Sequence, residues 1–450
     1  MGIRRSILIA SKNDLEATPK KPTIYSYDSF QKWHILEKMQ VQKSHLEKPI
    51  DLSSSEISKI EKNFRKLYAY SFFQSFLIII PVIVPFWQAK GLSLQDIFSL
   101  QGIFGFTLIV CDAPAGYLAD LFGRKRAMVI GSFISALGFQ FLWFGQNFFH
   151  FAVYEVILGL GLSLQSGCDV AILYNSLDKL KITGRKASFL GKRIFFLTVG
   201  EGIASLLGGI LAGFSLQLPA YGNAISAWLP MIFAMMIYEP TGQKLSRASH
   251  FKNIRDIGRA VFGHSRLLTL VLFSYIFYGF ASYCAVWSLQ PYWKSRGLDF
   301  TIFGYLWAAN SFVVAITSRY ADRVEKKIGA AKVVVIIACL PVIGYLGMGL
   351  TGGLVGLVYT LAFPICRGLN QVIFQDAINS RVPAEMRATI NSFGSLGMRA
   401  LFILFGPVIG HTLDLHGPDH AMRVLGGIYI LIFIFLTLPL LKQRKEFRTD

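Results

Sequence analysis

Charged residues are scarce in this chain, and that scarcity sets its class. Only 16% of the 450 residues are Asp, Glu, Lys or Arg, whereas 53% are hydrophobic and 38 are Phe. A soluble protein of this length carries more charge than that. The composition therefore excludes an ordinary soluble enzyme or binding module and predicts an integral membrane protein.

Cysteine and the usual catalytic motifs are also missing or few. The five cysteines all lie in apolar stretches and have no paired or metal-ligand spacing, which predicts neither a disulfide framework nor a metal site. The chain has no H-E-x-x-H, no G-x-S-x-G and no glycine-rich phosphate loop with lysine. We therefore expect no enzyme activity and no cofactor.

Apolar stretches of about 20 residues, the length that crosses a bilayer, recur along the chain. They predict twelve spans. These lie near 68–87, 97–119, 127–146, 149–174, 189–213, 217–238, 267–291, 300–318, 332–350, 354–378, 389–412 and 422–441. The start of the chain lacks the pattern of a cleavable signal peptide, so we expect it in the cytoplasm. Twelve spans then bring both termini to that side.

The distribution of the 45 Lys and Arg supports this topology. Thirteen lie in residues 1–67, and only Lys90, Lys294 and Arg296 fall in segments that the topology places outside, with Arg423 at the outer end of the last span. Basic residues favour the cytoplasmic side of membrane proteins, so the net charge of +19 needs no nucleic acid to explain it. We expect a protein of the inner or plasma membrane, in contact with the lipid bilayer, with cytoplasmic termini.

The polar segments divide the chain into five parts. We expect residues 1–67 to form a cytoplasmic arm that is partly disordered, in which a capping box at Ser53 and Glu56 predicts an amphipathic helix over 54–67. That helix either lies on the membrane surface or leads, solvated, into the first span. Two six-span halves follow, at 68–238 and 267–441. The cytoplasmic linker 239–266 separates them, and 442–450 form a cytoplasmic tail.

A charged hairpin between spans two and three is partly repeated between spans eight and nine. The first copy is GYLADLFGRKR, residues 116–126, and the second is SRYADRVEKKIG, residues 318–329, which aligns Asp322 with Asp120. The first copy resembles G-x-L-A-D-x-x-G-R-K, the signature of the major facilitator superfamily. The resemblance covers roughly residues 65–441. It implies an all-α integral membrane fold with twelve transmembrane helices in two pseudo-symmetric six-helix halves.

The same resemblance implies a role for the hairpin. We expect Gly116 to let span two pack closely on a helix of the other half, and Asp120 to pair with Arg124 or with a helix N-terminus. Together with Gly123 and Asp322, these residues would form a latch that stabilises one of two alternating-access states. The simpler alternative is a basic hairpin that only sets topology.

Ionisable residues inside spans are costly and are therefore functional candidates. Asp112, in the second span beside Pro114, is a candidate for substrate contact, proton binding or structural pairing. Asp169 and Arg193 lie at matching depth in neighbouring antiparallel spans, which predicts a structural ion pair.

Three further charges lie at the middle of their spans. Arg367 and Arg399 cannot deprotonate and need a carboxylate or an anion, so we expect them to bind substrate, with Asn310 as a neutral neighbour. Glu201 is a second candidate for proton coupling and would pair with one arginine when substrate is absent. Near it, ASLLGGILAG, residues 204–213, resembles the drug/proton antiporter signature G-P-x-x-G-G without its Gly-Pro.

Together these features predict a monomeric secondary transporter that moves a small organic anion, such as a polycarboxylate or a metal chelate, with the proton as coupling ion. Proton-coupled efflux of amphipathic or cationic compounds is the main alternative, and it predicts a less cationic cavity. A non-transporting membrane sensor is the third reading.

Overall fold

The computed structural model describes residues 53–240, 265–382, 384–444 and 447. Within these ranges the fold is helical and contains no strand. The helices are α1 Ser54–Gln74, α2 Ile83–Ala89, α3 Leu94–Phe122, α4 Arg124–Phe139, α5 Phe141–Phe144, α6 Phe148–Gln165, α7 Cys168–Lys179, α8 Lys186–Phe214, α9 Gln217–Ser226, α10 Leu229–Met236, α11 Arg266–Ser295, α12 Phe300–Ile328, α13 Ala330–Leu350, α14 Gly356–Thr360, α15 Ala362–Asn379, α16 Ala384–Ile432 and α17 Leu438–Lys442.

Contacts divide the chain into two units, residues 1–57 and residues 58–450. In the second unit, the helices up to residue 240 pack mainly with one another and form the N-group, while those from residue 265 form the C-group. The two groups meet along two seams, in which α3 packs along α16 and α8 packs along α12.

The bundle is closed at one end, which we call the sealed end. It carries the loops 90–93 and 296–299, and there the Asp414 carboxylate of the C-group accepts the backbone N–H groups of Leu94 and Gln95 at 2.9 and 2.8 Å. Trp87 also stacks on Trp287 across the groups, with ring centroids 6.3 Å apart. A carboxylate at a helix N-terminus is favourably placed, so Asp414 helps to hold this end shut.

The opposite end, which we call the open end, carries the turns at Gly123 and Gly329. Most of the buried residues of α3 lie between Leu94 and Leu108, and beyond them only Ala115 and Ala119 are buried. Among described residues, no hydrogen bond between the two groups lies nearer the open end than the one at Asp112. The seams therefore diverge past the middle of the helices and leave a cleft.

Close packing of α8, both on the C-group and within the N-group, depends on its glycines. A Cβ on Gly209 would come within 2.8 Å of the Gly304 Cα in α12, and a Cβ on Gly208 within 2.0 Å of the Ile78 carbonyl oxygen. No other residue fits at such distances. The glycines of the antiporter-like stretch thus have a packing role.

The first predicted span is not one continuous helix. Helix α1 ends at Gln74, a 3₁₀ turn covers Ile80–Val82, and α2 begins at Ile83. Pro81 cannot donate a backbone hydrogen bond and disfavours helix in the turn before it. The break frees the Ile78 carbonyl to approach α8 at Gly208.

Nine helices of the described residues are long and apolar enough to span a membrane. The difference from the predicted twelve has visible causes. The first and sixth spans are broken into short helices, and the last two run together through a kink at Gly417, whose φ is 76°. The exact count of twelve stays a prediction.

The boundary predicted at residue 67 falls inside a helix. The capping box forms, since Ser53 N donates to Glu56 Oε2 and Glu56 N to Ser53 Oγ, both at 3.2 Å. From there α1 continues without interruption to Gln74, and its face with Ile60 and Leu67 is buried. The helix therefore leads into the first span. Residues 1–52 of the predicted arm, most of the linker and most of the tail lie outside the described residues.

Candidate functional site

The α3–α16 seam ends at the cleft in an ion pair. Arg399 Nη1 lies 3.1 Å from Asp112 Oδ2, and the two side chains are 28% and 35% exposed. Gly105, two turns before Asp112, lies beside Arg399, and a Cβ there would be in ordinary van der Waals contact with the Arg399 Cβ at 3.8 Å. Asp112 Oδ1 is buried without a hydrogen-bond partner among the described residues.

The α8–α12 seam ends at the cleft in another acid. Glu201 Oε1 accepts hydrogen bonds from Ser311 Oγ at 3.0 Å and from Trp307 Nε1 at 3.3 Å. Both seams thus place an acid of the N-group against a donor of the C-group.

The expected pairing of Glu201 with a midplane arginine is wrong for this conformation. Glu201 lies on α8, which packs on α12, whereas the arginines lie on α15 and α16. The carboxylate that reaches Arg399 is Asp112, on the other seam.

Arg367 differs from Arg399 in having no hydrogen-bond or ion-pair partner among the residues that the structure describes. Its neighbour Gly368 packs against α12, and Asn370 donates to the Tyr275 carbonyl of α11 at 3.2 Å. At 3.6 residues per turn, Arg367 and Gln371 project between these two directions, and both are exposed. Because α11 and α12 both contact the N-group, this face is directed at the space between the groups. Arg367 makes no hydrogen bond or ion pair with another described residue.

Asn310 precedes Ser311 on α12 and is half-buried, with no hydrogen bond to another described residue. It therefore lies one residue from the group that binds Glu201. In the described part of the chain, the cleft brings together one ion pair, one acid with neutral donors, the unpaired Arg367 and this amide. It is therefore less cationic than two free arginines would make it.

The signature hairpin is built around an acid that the motif does not contain. Glu239, just after α10, accepts the backbone N–H of Arg124 at 2.7 Å and that of Lys125 at 3.2 Å, so it caps α4. Gly123 turns the chain there with φ 100°. Asp120 pairs with Arg124 one helical turn away, at 3.5 Å.

Gly116 does not make the close helix contact predicted for it. It is exposed, and a Cβ at this position would have nothing within 4 Å. The residue lies on the part of α3 that faces the cleft, where the seams have diverged. Close packing at Gly116 requires a conformation in which the open end is shut.

In the second copy of the hairpin, the helix before the turn is longer by one helical turn than in the first copy. Helix α12 continues to Ile328, and Gly329 has the backbone angles of Gly123, with φ 87° and ψ 147°. Asp322 therefore lies seven residues before its turn glycine, whereas Asp120 lies three before. Its partner is Lys326 in the same helix, at 3.0 Å. The sequence alignment set Glu325 at the position of Gly123, and the structure corrects it.

Asp169 and Arg193 are in contact, with Asp169 Oδ2 2.5 Å from Arg193 Nε. The acid lies in the first turn of α7, just after Gly167 breaks the span with φ 70°, and is 4% exposed. Its other oxygen, Oδ1, accepts the Val170 N–H. The pair lies within the N-group and away from the seams.

Three of the acids whose contacts were not predicted from the sequence lie at or behind a seam or at the signature hairpin. They are Glu155, Glu239 and Asp414. Glu239 and Asp414 lie at span ends, where acids are common, and a capping role depends on which helix end lies opposite. Glu155 is inside a span, and the rule that marked Glu201 would have marked it.

Sequence comparison identifies the family. The profile of the Major Facilitator Superfamily matches residues 67–407. The chain belongs to this superfamily. It is 22% identical over 385 residues to Multidrug resistance protein 2 of Bacillus subtilis, across 82% of this chain and 92% of that protein. It is 24% identical over 223 residues to the Quinolone resistance protein NorA of Staphylococcus aureus, across 48% of this chain and 55% of that protein.

Solved structures of major facilitator proteins share the fold. The nucleoside transporter NupG aligns with a TM-score of 0.70 at 14% identity, over 86% of this chain and 99% of that chain. A bacterial homologue of the lysosomal transporter Spinster, crystallised inward-facing and unoccupied, aligns with a TM-score of 0.67 at 15% identity, over 89% of this chain and all of the other. The chain is thus an integral membrane transporter of this superfamily, with small molecules as its class of substrate.

Proposed function

We propose that this chain is a proton-coupled exporter of amphipathic organic compounds, with Asp112 and Glu201 as the proton-binding groups. The observation that carries the proposal is the equivalent position of the two acids. Each ends a seam at the cleft and binds a donor of the other helix group. Neutralising either acid weakens a contact between the groups, which is what coupling of a proton to a conformational change requires.

An organic cation that binds one of these acids would neutralise its charge, as a proton does. It would compete with Arg399 or with the Trp307 and Ser311 donors for a carboxylate, so drug and proton would exclude one another at one site. The pairing of Arg399 supports this choice over the anion reading, because it removes one of the two cations expected in the cavity. The similarity to Multidrug resistance protein 2 supports it as well.

The orientation belongs to the same proposal. Lys and Arg are concentrated near the open end and in the arm, and basic residues favour the cytoplasm. We therefore assign the open end to the cytoplasmic side, with both termini there. In this conformation the cleft would load substrate from inside.

Transport in proteoliposomes with an imposed proton gradient tests the function. We expect movement of a lipophilic cation such as ethidium to depend on the gradient. Glu201→Gln should lose the gradient dependence, because its amide oxygen still accepts the same hydrogen bonds but the side chain cannot take up a proton. Transport by Glu201→Gln that follows the gradient as in the unchanged protein would exclude Glu201 as the coupling group.

An organic anion remains a second candidate because of Arg367. An exposed guanidinium at the middle of a span, with no partner among the described residues, costs at least ~2.5 kcal/mol on insertion scales, and a bound carboxylate offsets that cost. If anions are the substrates, Arg367→Lys loses most transport of a dicarboxylate because the bidentate fork is lost. Binding of a dicarboxylate but not of ethidium would establish this function in place of cation export.

A further inference from the structure

A third membrane acid lies behind the α3–α16 seam. Glu155, the eighth residue of α6, is only 3% exposed. Its Oε1 accepts a hydrogen bond from Gln101 Nε2 of α3 at 2.6 Å, and Gln101 is itself 5% exposed. Two buried polar side chains thus contact each other inside the N-group, away from the acids at the cleft.

Residues of the C-group cover the helix face beside this pair. A Cβ on Gly102, which follows Gln101, would lie 3.6 Å from the Ile403 Cα. One turn nearer the sealed end, Phe98 stacks on Phe402 with centroids 5.6 Å apart and planes at 11°. Both contacts join the two groups. Separation of the groups at the sealed end therefore removes the cover next to Gln101 and admits water towards Glu155.

The ionisable groups around Glu155 do not neutralise it. Among described residues it has no ion pair. Asp112 on α3 and Arg399 on α16 are paired with each other. Tyr283 on α11 is within electrostatic range of both Glu155 and Arg399 but carries no positive charge. The basic residues 124–126 lie in the first turn of α4, at the open end of the bundle, and His150 lies in the first turn of α6.

A carboxylate removed from water with one neutral donor is strongly disfavoured as an ion. Glu155 therefore holds its proton for as long as the seam covers it. When the seam opens, water stabilises the ionised form and the proton passes to the solvent at the sealed end. Resealing requires the reverse transfer of one proton from that solvent to a Glu155 carboxylate oxygen.

We infer that Glu155 is a proton-linked conformational residue, which takes up one proton from the sealed-end side when that end closes and returns it to the same side when it opens, so that sealing depends on the pH of that side. Its role differs from that proposed for Asp112 and Glu201, which face the cleft and the substrate. The inference adds to the proposed function a pH dependence of the sealed conformation, at a residue that substrate does not contact and that moves no net proton across the membrane. It concerns the closing step and needs no particular cargo.

The test follows the sealed end directly. Gln88 and Lys294 face each other across the groups, with Lys294 Nζ 3.1 Å from Gln88 Oε1. Spin labels at Gln88→Cys and Lys294→Cys, in a chain with its five native cysteines replaced, report the separation of that end by pulsed EPR. Because sealing binds one proton, the ratio of sealed to open molecules should fall by up to about tenfold per pH unit as pH rises.

Glu155→Gln keeps the shape and the hydrogen bond to Gln101 but cannot ionise, so it should stay sealed at alkaline pH. Glu56→Gln in the same labelled chain, which neutralises a partly exposed acid outside the seams and keeps its capping box, is the matched control and should keep the pH response. Gln101→Leu removes the donor that favours the ionised form and should move the response to higher pH. The inference is overturned if the Glu155→Gln chain opens with rising pH as the unchanged labelled chain does. It is also overturned if the ratio of sealed to open molecules in the unchanged labelled chain does not depend on pH.

The readout separates this inference from the proposed function. The label distances need no substrate, so a pH response that disappears in Glu155→Gln supports the inference even if ethidium is not transported. If ethidium transport follows the gradient but the pH response of the sealed end is the same with and without Glu155→Gln, the exporter function is supported and the role of Glu155 is not.

Discussion

Glu239 joins the end of α10 to the start of α4 by accepting the backbone N–H groups of Arg124 and Lys125. One carboxylate thereby satisfies two of the four donors that a helix N-terminus leaves free. It also stands close to Gly123, where a Cβ would lie 3.0 Å from Glu239 Oε2. The signature turn is therefore stabilised from the last span of its own helix group.

The first prediction concerns this cap. Glu239→Ala should lower the stability of the N-group by about 1 kcal/mol, the usual cost of losing a helix cap. Glu239→Gln keeps an acceptor oxygen and should lose less. Thermal unfolding of the purified protein, followed by tryptophan fluorescence, measures both. Equal melting of the Ala variant and the unchanged protein would show that the contact contributes nothing.

The second prediction concerns Asp120. In this conformation, Arg124 at the open end is its one ion-pair partner within the described residues. If it forms a latch when that end is shut, Asp120→Asn should shift molecules between the two conformations and slow transport while leaving substrate affinity nearly unchanged.

Cysteine accessibility at both ends of the bundle would detect that shift. Lys326→Gln, which breaks the corresponding i,i+4 pair of the C-group, is a suitable comparison. Normal transport and unchanged accessibility in Asp120→Asn would leave the hairpin only its role in topology.

The third prediction concerns Asp169 and Arg193. Removing one charge leaves the other poorly hydrated, so Asp169→Asn and Arg193→Gln should each reduce folded yield. Exchanging the two residues restores opposite charges at nearly the same places and should recover part of that yield. Size-exclusion chromatography of a fluorescent fusion measures folded protein. Single variants that fold normally yet fail to transport would instead make the pair functional.

The fourth prediction concerns Asp112 and Arg399. Asp112→Asn leaves a guanidinium at the seam without its carboxylate, so it should impair the sealed conformation more than the double change Asp112→Asn with Arg399→Gln. Spin labels at Gln88 and Lys294 report that conformation. Additive effects of the two single changes would show that the ion pair is not what joins the groups there.

The sequence alone was enough for the class, the family and the helical membrane fold. Spans are recognisable because a bilayer requires about 20 apolar residues in each, and the hairpin signature is local. The same local rules marked Asp112, Glu201, Arg367 and Arg399, since an ionisable group inside a span stands out whatever it contacts.

Partners were decided only by the tertiary structure, because they depend on which helices meet. Their similar depth made Glu201 and the two arginines candidates for pairing with each other. In the structure, Glu201 instead accepts hydrogen bonds from Trp307 and Ser311 in the α8–α12 seam, and Arg399 pairs with Asp112 in the α3–α16 seam. Asp169 and Arg193 could be matched beforehand because neighbouring antiparallel spans fix both depth and adjacency. For residues far apart in the chain, depth is readable from the sequence, whereas direction around the helix axis and the choice of neighbour come from packing.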